Sequence, residues 1–196
     1  VVDYRDYGVT SAALLVFVML EHVLALATTT LAGGSILFLM RGSQGWGTIG
    51  LIGATVALVA LVLGPFIINS RSQSDAPRVT TSGYLRSFGW TALFWVGASA
   101  SFVAFASALP AAFTHVSWLE LTGVYLFAWA AGFAAIFAPQ GIGVFEAVTA
   151  DLLNSPLTFQ SAVALAAGFR VVILIADLIV WALATTFSRG GNSHPT

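Results

Sequence analysis

The stretch Pro139-Gln140-Gly141-Ile142-Gly143-Val144-Phe145-Glu146 separates two long apolar segments. A proline lacks an N–H and clashes with the turn before it, so it ends the preceding helix. Gly141 and Gly143 permit tight backbone geometry and close approach by another group. A helix can restart after Gly143, and its first unpaired N–H groups would carry partial positive charge into the protein. Such a start suits a phosphate or a carboxylate, and broken helices near the bilayer midplane hold anionic groups in many transporters. The plainer alternative is a tight turn with Glu146 at a wet interface. Residues 141–153 are apolar but number only about 13, too few to cross a bilayer. They are expected to form a re-entrant half-helix, closed by a turn at Asn154-Ser155-Pro156.

Working outward, the 196 residues are 58% hydrophobic and 8% charged, with a mean hydropathy of +0.93. Soluble domains carry about 25% charged residues, so lipid must be the main solvent. Apolar segments cover about 10–40, 48–69, 88–109, 119–138 and 159–187, each roughly 20 residues or more, enough to cross about 30 Å of hydrocarbon. Gly33-Gly34 is a candidate bend in the first. The expected fold is all-α: one integral membrane domain over 1–196, a polytopic bundle of about five transmembrane helices plus the half-helix. The polar stretch 70–87 holds Arg71, Arg78 and Arg86, which assigns it to the cytoplasm together with Arg5. Five crossings then put the C-terminus outside, against Arg189. The first segment does not read as a signal peptide, because Asp3 and Asp6 flank Arg5 and Glu21-His22 interrupts the apolar run.

Several chemistries are excluded. The chain has no cysteine, hence no disulfide or thiolate. No basic patch suggests nucleic acid. H-E-x-x-H, G-x-S-x-G and P-loop patterns are absent, and His115 and His194 are isolated, so neither metal nor cofactor is expected. Trp90, Trp95, Trp118, Trp129 and Trp181 lie mostly near segment ends and read as interfacial anchors.

The charges inside the apolar segments are the candidates for function. Arg170 is about 14 Å into the last segment counted from Ser161, where insertion costs roughly 2.5–3.5 kcal/mol unless a partner or water is present. Asp177 shares its helix face but stands roughly 10 Å along the axis, so Glu146 or Asp151 is the better partner. Arg170 could face a polar cavity and hold a lipid phosphate in bidentate fashion, or it could form a structural ion pair. Glu21 is expected to face inward from the first segment, as a proton or cation site or as a structural hydrogen-bonding group.

Pro139-x-Gly141-Ile142-Gly143-Val144-Phe145-Glu146-Ala147 resembles the P-G-G-[LI]-G-x-x-E-A signature of the lysylphosphatidylglycerol synthase transmembrane, or flippase-like, domain. Ala164-Leu165-Ala166-Ala167-Gly168-Phe169-Arg170 is similar to that family's small-residue helix bearing an arginine. Arg5-x-x-Gly8 and Met19-Leu20-Glu21 look like its arginine–glycine turn and its helix with a central glutamate. The resemblance covers nearly all of this chain and about the last two thirds of the family's domain. The first helix pair and the soluble synthase domain have no counterpart, and Gln140 replaces a glycine. The resemblance implies re-entrant helices around a lipid-accessible cavity, and a module that handles anionic or polyprenyl-linked lipids in a bacterial or archaeal cell membrane.

The leading expectation is a flippase-like protein that is not an enzyme. Its lipid site would comprise Arg170, Glu146, Glu21, Gly141, Gly143, Pro139 and Asp177, and its partners would be lipids with anionic headgroups. One alternative is a non-catalytic subunit assembled with a larger membrane enzyme such as a glycosyltransferase. A third is an intramembrane lipid-phosphate enzyme with Glu146 and Asp151 as acid–base groups.

Overall fold

The computed structural model describes residues 11–71, 79–109, 116–135, 138–154 and 157–190. The Arg5–Gly8 turn, Arg78, Pro110, His115, Pro156 and His194 lie outside the described residues, as do the side chains of Arg71, Gln140 and Arg189. The described chain is helical: α1 (Ser11–Arg41), α2 (Trp46–Arg71), α3 (Thr81–Ser107), α4 (Trp118–Ala134), α5 (Val144–Leu152) and α6 (Phe159–Gly190), with a 3-10 turn at Pro139–Gly141 before α5.

Among the described residues four helices, rather than five, are long and apolar enough to cross a membrane: Phe17–Arg41, Trp46–Ile67, Thr81–Ser107 and Phe159–Thr186. The fifth expected span, 119–138, is α4, and it has only 17 residues. It rises about 25 Å, short of the roughly 30 Å hydrocarbon layer. The cause is local. A proline ring at position 139 cannot coexist with a helical carbonyl four residues earlier, and Ala135 already leaves helical geometry at φ −81°, ψ 76°.

The chain then turns back. The α5 C-terminus meets Arg41 through the Leu152 carbonyl, and Arg41 also meets Glu120 near the start of α4. So α4 enters from the Arg41 end of the bundle and α5 returns to it. The two helices form a re-entrant arm with no net crossing. α6 leaves from that same end, passes Glu146 at Arg170, and runs twenty residues further to Gly190. It therefore ends where α2 ends and α3 begins. This corrects the expected odd number of crossings and puts the position of Arg189 at the same end as Arg71 and Arg86.

Two further boundaries differ from expectation. α3 starts at Thr81 rather than near 88, because the Thr80 hydroxyl accepts the Gly83 N–H at 3.2 Å and caps a polar first turn. α1 runs unbroken through Gly33-Gly34. Those glycines serve close approach instead of a bend: a Cβ on Gly34 would stand 2.3 Å from the Gly50 carbonyl oxygen of α2, and one on Gly33 would stand 2.6 Å from the Phe127 nitrogen of α4. Small residues at helix contacts are how bundles pack in lipid, where apolar burial gives little drive.

α4 is the centre of the bundle. Val124, Tyr125 and Ala128 are at most 1% exposed. The Tyr125 ring meets aromatic rings from three other helices, among them Phe102 (4.9 Å between centroids), Phe169 (5.6 Å) and Phe145 (6.1 Å). The re-entrant arm is thus a core element, unlike a lipid-facing span.

α2 contains Pro65, which has no N–H for the carbonyl of Leu61. The Tyr84 hydroxyl of α3 donates to that carbonyl at 2.8 Å, so the gap left by the proline is filled from a neighbouring helix. Tyr84→Phe should destabilise the protein by about 1 kcal/mol in a detergent unfolding titration. In a Pro65→Ala background, where the helix restores its own bond, the same substitution should cost markedly less. Equal costs in both backgrounds would show that the two residues are not linked.

Candidate functional site

The break after Pro139 builds the site. Gly141 has φ +65° and Gly143 has φ +85°, both in the left-handed region that favours glycine. Gly141 also lies against Gly132 of α4: a Cβ on Gly141 would be 2.6 Å from the Gly132 Cα. That contact sets the arm's width. Gly143 has open space around its Cα, so only its backbone conformation matters. Pro139 starts the 3-10 turn, in which the Gly141 N–H donates to the Ala138 carbonyl at 2.8 Å.

The N-terminus of α5 was expected to attract an anion, and its own carboxylate takes that place. Glu146 Oε2 accepts the Gly143 N–H at 2.8 Å, bending back over the first turn. The other oxygen, Oε1, lies 3.3 Å from Nε of Arg170. The guanidinium lies against two adjoining aromatic rings, with its Cζ 5.1 Å from the Phe145 centroid and 5.4 Å from that of Trp129. The side chains of Arg170 and Glu146 are 18% and 16% exposed. A neutral, ring-shielded pair lowers the cost of keeping either charge in lipid, and cation–π contact adds about 0.5–2 kcal/mol.

The opposite end of α5 is held by groups that sequence reasoning missed. Arg41 donates to the Leu152 carbonyl and to Glu120 Oε1, the latter at 3.2 Å. Trp46 Nε1 donates to Asp151 Oδ2 at 2.6 Å. A cation on the last carbonyls of a helix is favourable both as a cap and against the helix dipole. One signal was available: Ser117-Trp-Leu-Glu120 has the S-x-x-E spacing of a helix start, and the Ser117 hydroxyl does accept the Glu120 N–H at 3.1 Å.

Of the expected site residues, the structure brings together Pro139, Gly141, Gly143, Glu146 and Arg170. Glu21 stands apart and is exposed. It precedes Arg41 by twenty residues of continuous helix, so it lies about 30 Å away, toward the opposite end of the bundle. It is not the inward member of its pair; His22 is exposed as well, its Nδ1 2.7 Å from the Val18 carbonyl. Asp177 lies two turns beyond Arg170 and is exposed. Trp95 and Trp129 are core residues rather than anchors: Trp95 is 6% exposed, and their rings are 6.1 Å apart.

Two of the cavities formed by the described residues are well defined. One of about 520 Å³ lies among α1, α2 and α3 and is lined by Leu31, Leu61, Pro65 and Tyr84 among others. The other, about 280 Å³, lies near Trp118 at the Arg41 end. Neither is lined by Arg170 or Glu146. No family model, curated protein or solved structure matches this chain.

Removing one member of the Arg170–Glu146 pair leaves the other charged inside the bundle. Arg170→Met and Glu146→Gln should each destabilise by about 2–3 kcal/mol, somewhat less than for a fully buried pair. The double variant should cost clearly less than their sum in a detergent unfolding titration; additive costs would mean the pair is not coupled. The two glycines should also separate. Gly143→Ala should cost about 1–2 kcal/mol for the left-handed backbone alone. Gly141→Ala should cost about 1–3 kcal/mol more, because its methyl meets Gly132. Equal losses would show that the Gly132 contact is soft.

Proposed function

We propose that this integral membrane protein binds lipids with anionic or polyprenyl-linked phosphate headgroups, and passes them between leaflets, in a bacterial or archaeal cell membrane. The observation that carries this reading is the Arg170–Glu146 ion pair at the start of a re-entrant helix within the apolar bundle. A charge pair there is costly, and such pairs mark polar pathways through membranes. The resemblance of residues 139–147 to the flippase-like signature supports the same ligand class.

The pair suggests a mechanism of exchange. Glu146 uses one oxygen to cap Gly143 and the other to face Arg170. A lipid phosphate offers several oxygens to a guanidinium and can bind in bidentate fashion, as Glu146 does not while its Oε2 remains on the cap. The phosphate would replace Oε1 at Arg170, and Glu146 would stay at the helix start. Because the Arg170 side chain is only 18% exposed beside Phe145 and Trp129, α5 or α6 would shift to admit a headgroup.

Purified protein in liposomes should speed the leaflet exchange of tail-labelled phosphatidylglycerol, read as the fraction quenched by an external reductant. Arg170→Ala should lower the rate by about tenfold or more, and Arg170→Lys should fall between, since a lysine keeps the charge without the fork. Exchange that is unchanged in both Arg170→Ala and Glu146→Gln would overturn the proposal.

A further inference from the structure

The two halves of α6 are unlike each other. In the first half, Ala162, Leu165, Ala166 and Phe169 are buried against the bundle. From Val171 to Thr186, every residue is exposed except Ile173 and Thr185, which are partly buried. Exposed Leu, Ile and Val are at ease against lipid tails. Asp177 is not. It lies within the apolar span Phe159–Thr186, nine residues or about 14 Å from the end of that span. Seven apolar residues, Leu178 to Ala184, separate it from the first polar side chain beyond. Asp177 has no hydrogen-bond or ion-pair partner among the described residues.

The other charges inside the apolar segments are paired or lie close to a span's end: exposed Glu21 is about 6 Å from the start of Phe17–Arg41, and exposed Arg86 about 8 Å from the start of Thr81–Ser107. Arg170 meets Glu146, and Arg41 meets Glu120. Asp151 accepts from Trp46. Asp177 stands out against this pattern. Its neighbours on the helix face, Ile173 one turn below and Val180 and Trp181 one turn above, complete a stripe that continues the face used by Arg170. α4 ends at Ala134, Ile173 still packs against the core, and the face is exposed from Asp177 onward.

We infer that this stripe is an interface for a transmembrane helix of another protein, one that carries an arginine or lysine at the depth of Asp177. Charge complementarity identifies the occupant. A lone carboxylate in an apolar span is stabilised by a cation brought to it, and lipid tails bring none. A second copy of this chain does not supply it. The sequence has no lysine, and its seven arginines are Arg5, Arg41, Arg71, Arg78, Arg86, Arg170 and Arg189. Arg41 and Arg170 are already paired. Arg86 is exposed on α3 but only about 8 Å from its start, and its side chain leans toward that helix's N-terminus, away from the depth of Asp177. The rest lie before α1, at or beyond the end of α2, or at the end of α6. The inference is independent of the lipid reading, because it concerns a different stretch of α6 and a different residue.

The test uses the whole chain in phosphatidylcholine vesicles. The absence of cysteine allows a single dye at Ser43→Cys in the exposed α1–α2 turn. The probe is a labelled poly-leucine peptide of about 24 residues, long enough to span, with one arginine about 14 Å from an end. Its control has leucine throughout. Energy transfer to the arginine peptide should saturate and exceed that to the control by about tenfold in apparent affinity. Asp177→Leu should abolish the preference, and Asp177→Arg should transfer it to a peptide bearing glutamate. The inference fails if both peptides associate equally, if neither associates, or if Asp177→Leu keeps the preference for arginine. It also fails if single-molecule bleaching shows paired copies of this chain that Asp177→Leu separates, because the occupant is then a second copy.

Discussion

A nine-residue helix inside a membrane must find partners for nearly all of its backbone. α5 has about as many unpaired terminal N–H and C=O groups as internal bonds, and lipid offers nothing to either. The bundle resolves this with charged side chains at both ends. Glu146 folds back on the Gly143 N–H, and Arg41 reaches the Leu152 carbonyl. Each of those charges then requires a counter-charge, found on α6 in Arg170 and on α4 in Glu120. The ion pairs thus follow from the short helix, and the helix holds its place because of them.

The same arrangement determines the topology. Because α5 is anchored to the Arg41 end, α4 and α5 together return the chain to the side from which α4 entered. α6 then ends beside the ends of α2 and α3, and the position of Arg189 joins those of Arg71 and Arg86 at one end of the molecule. Arginine bias, which conflicts with five crossings, accords with four crossings and one re-entrant arm.

Much of this was legible in the sequence and some was not, for physical reasons. The helix break at Pro139, the half-helix after Gly143 and the narrowing of Arg170's partner to Glu146 or Asp151 follow from proline chemistry, length and helical reach; that it is Glu146 does not. The span count does not, because α4 has the composition of a spanning helix and is told from one only by its length of 17 residues and its packed surroundings. Glycine pairs are equally ambiguous. Gly33-Gly34 could bend a helix or admit a neighbour, and only the position of Gly50 and Phe127 decides. The Arg41 clamp was invisible because Arg41 sits before a glycine-rich turn and reads as a surface residue. Its partners lie 79 and 111 residues away along the chain.

Counter-charge placement also divides the molecule by depth. Toward the Arg41 end, every charged group inside the bundle is answered by another helix, and aromatic rings from α3, α4, α5 and α6 close around Tyr125. Toward the other end, α6 runs alone beyond the tip of α4, and Asp177 is the one carboxylate of that half-helix. A short re-entrant arm makes this division unavoidable. By turning back after about 25 Å, α4 leaves the far part of α6 without the neighbour that a full span would have provided. The break at Pro139 therefore does two things at once: it places Glu146 against Arg170, and it leaves the face bearing Asp177 uncovered.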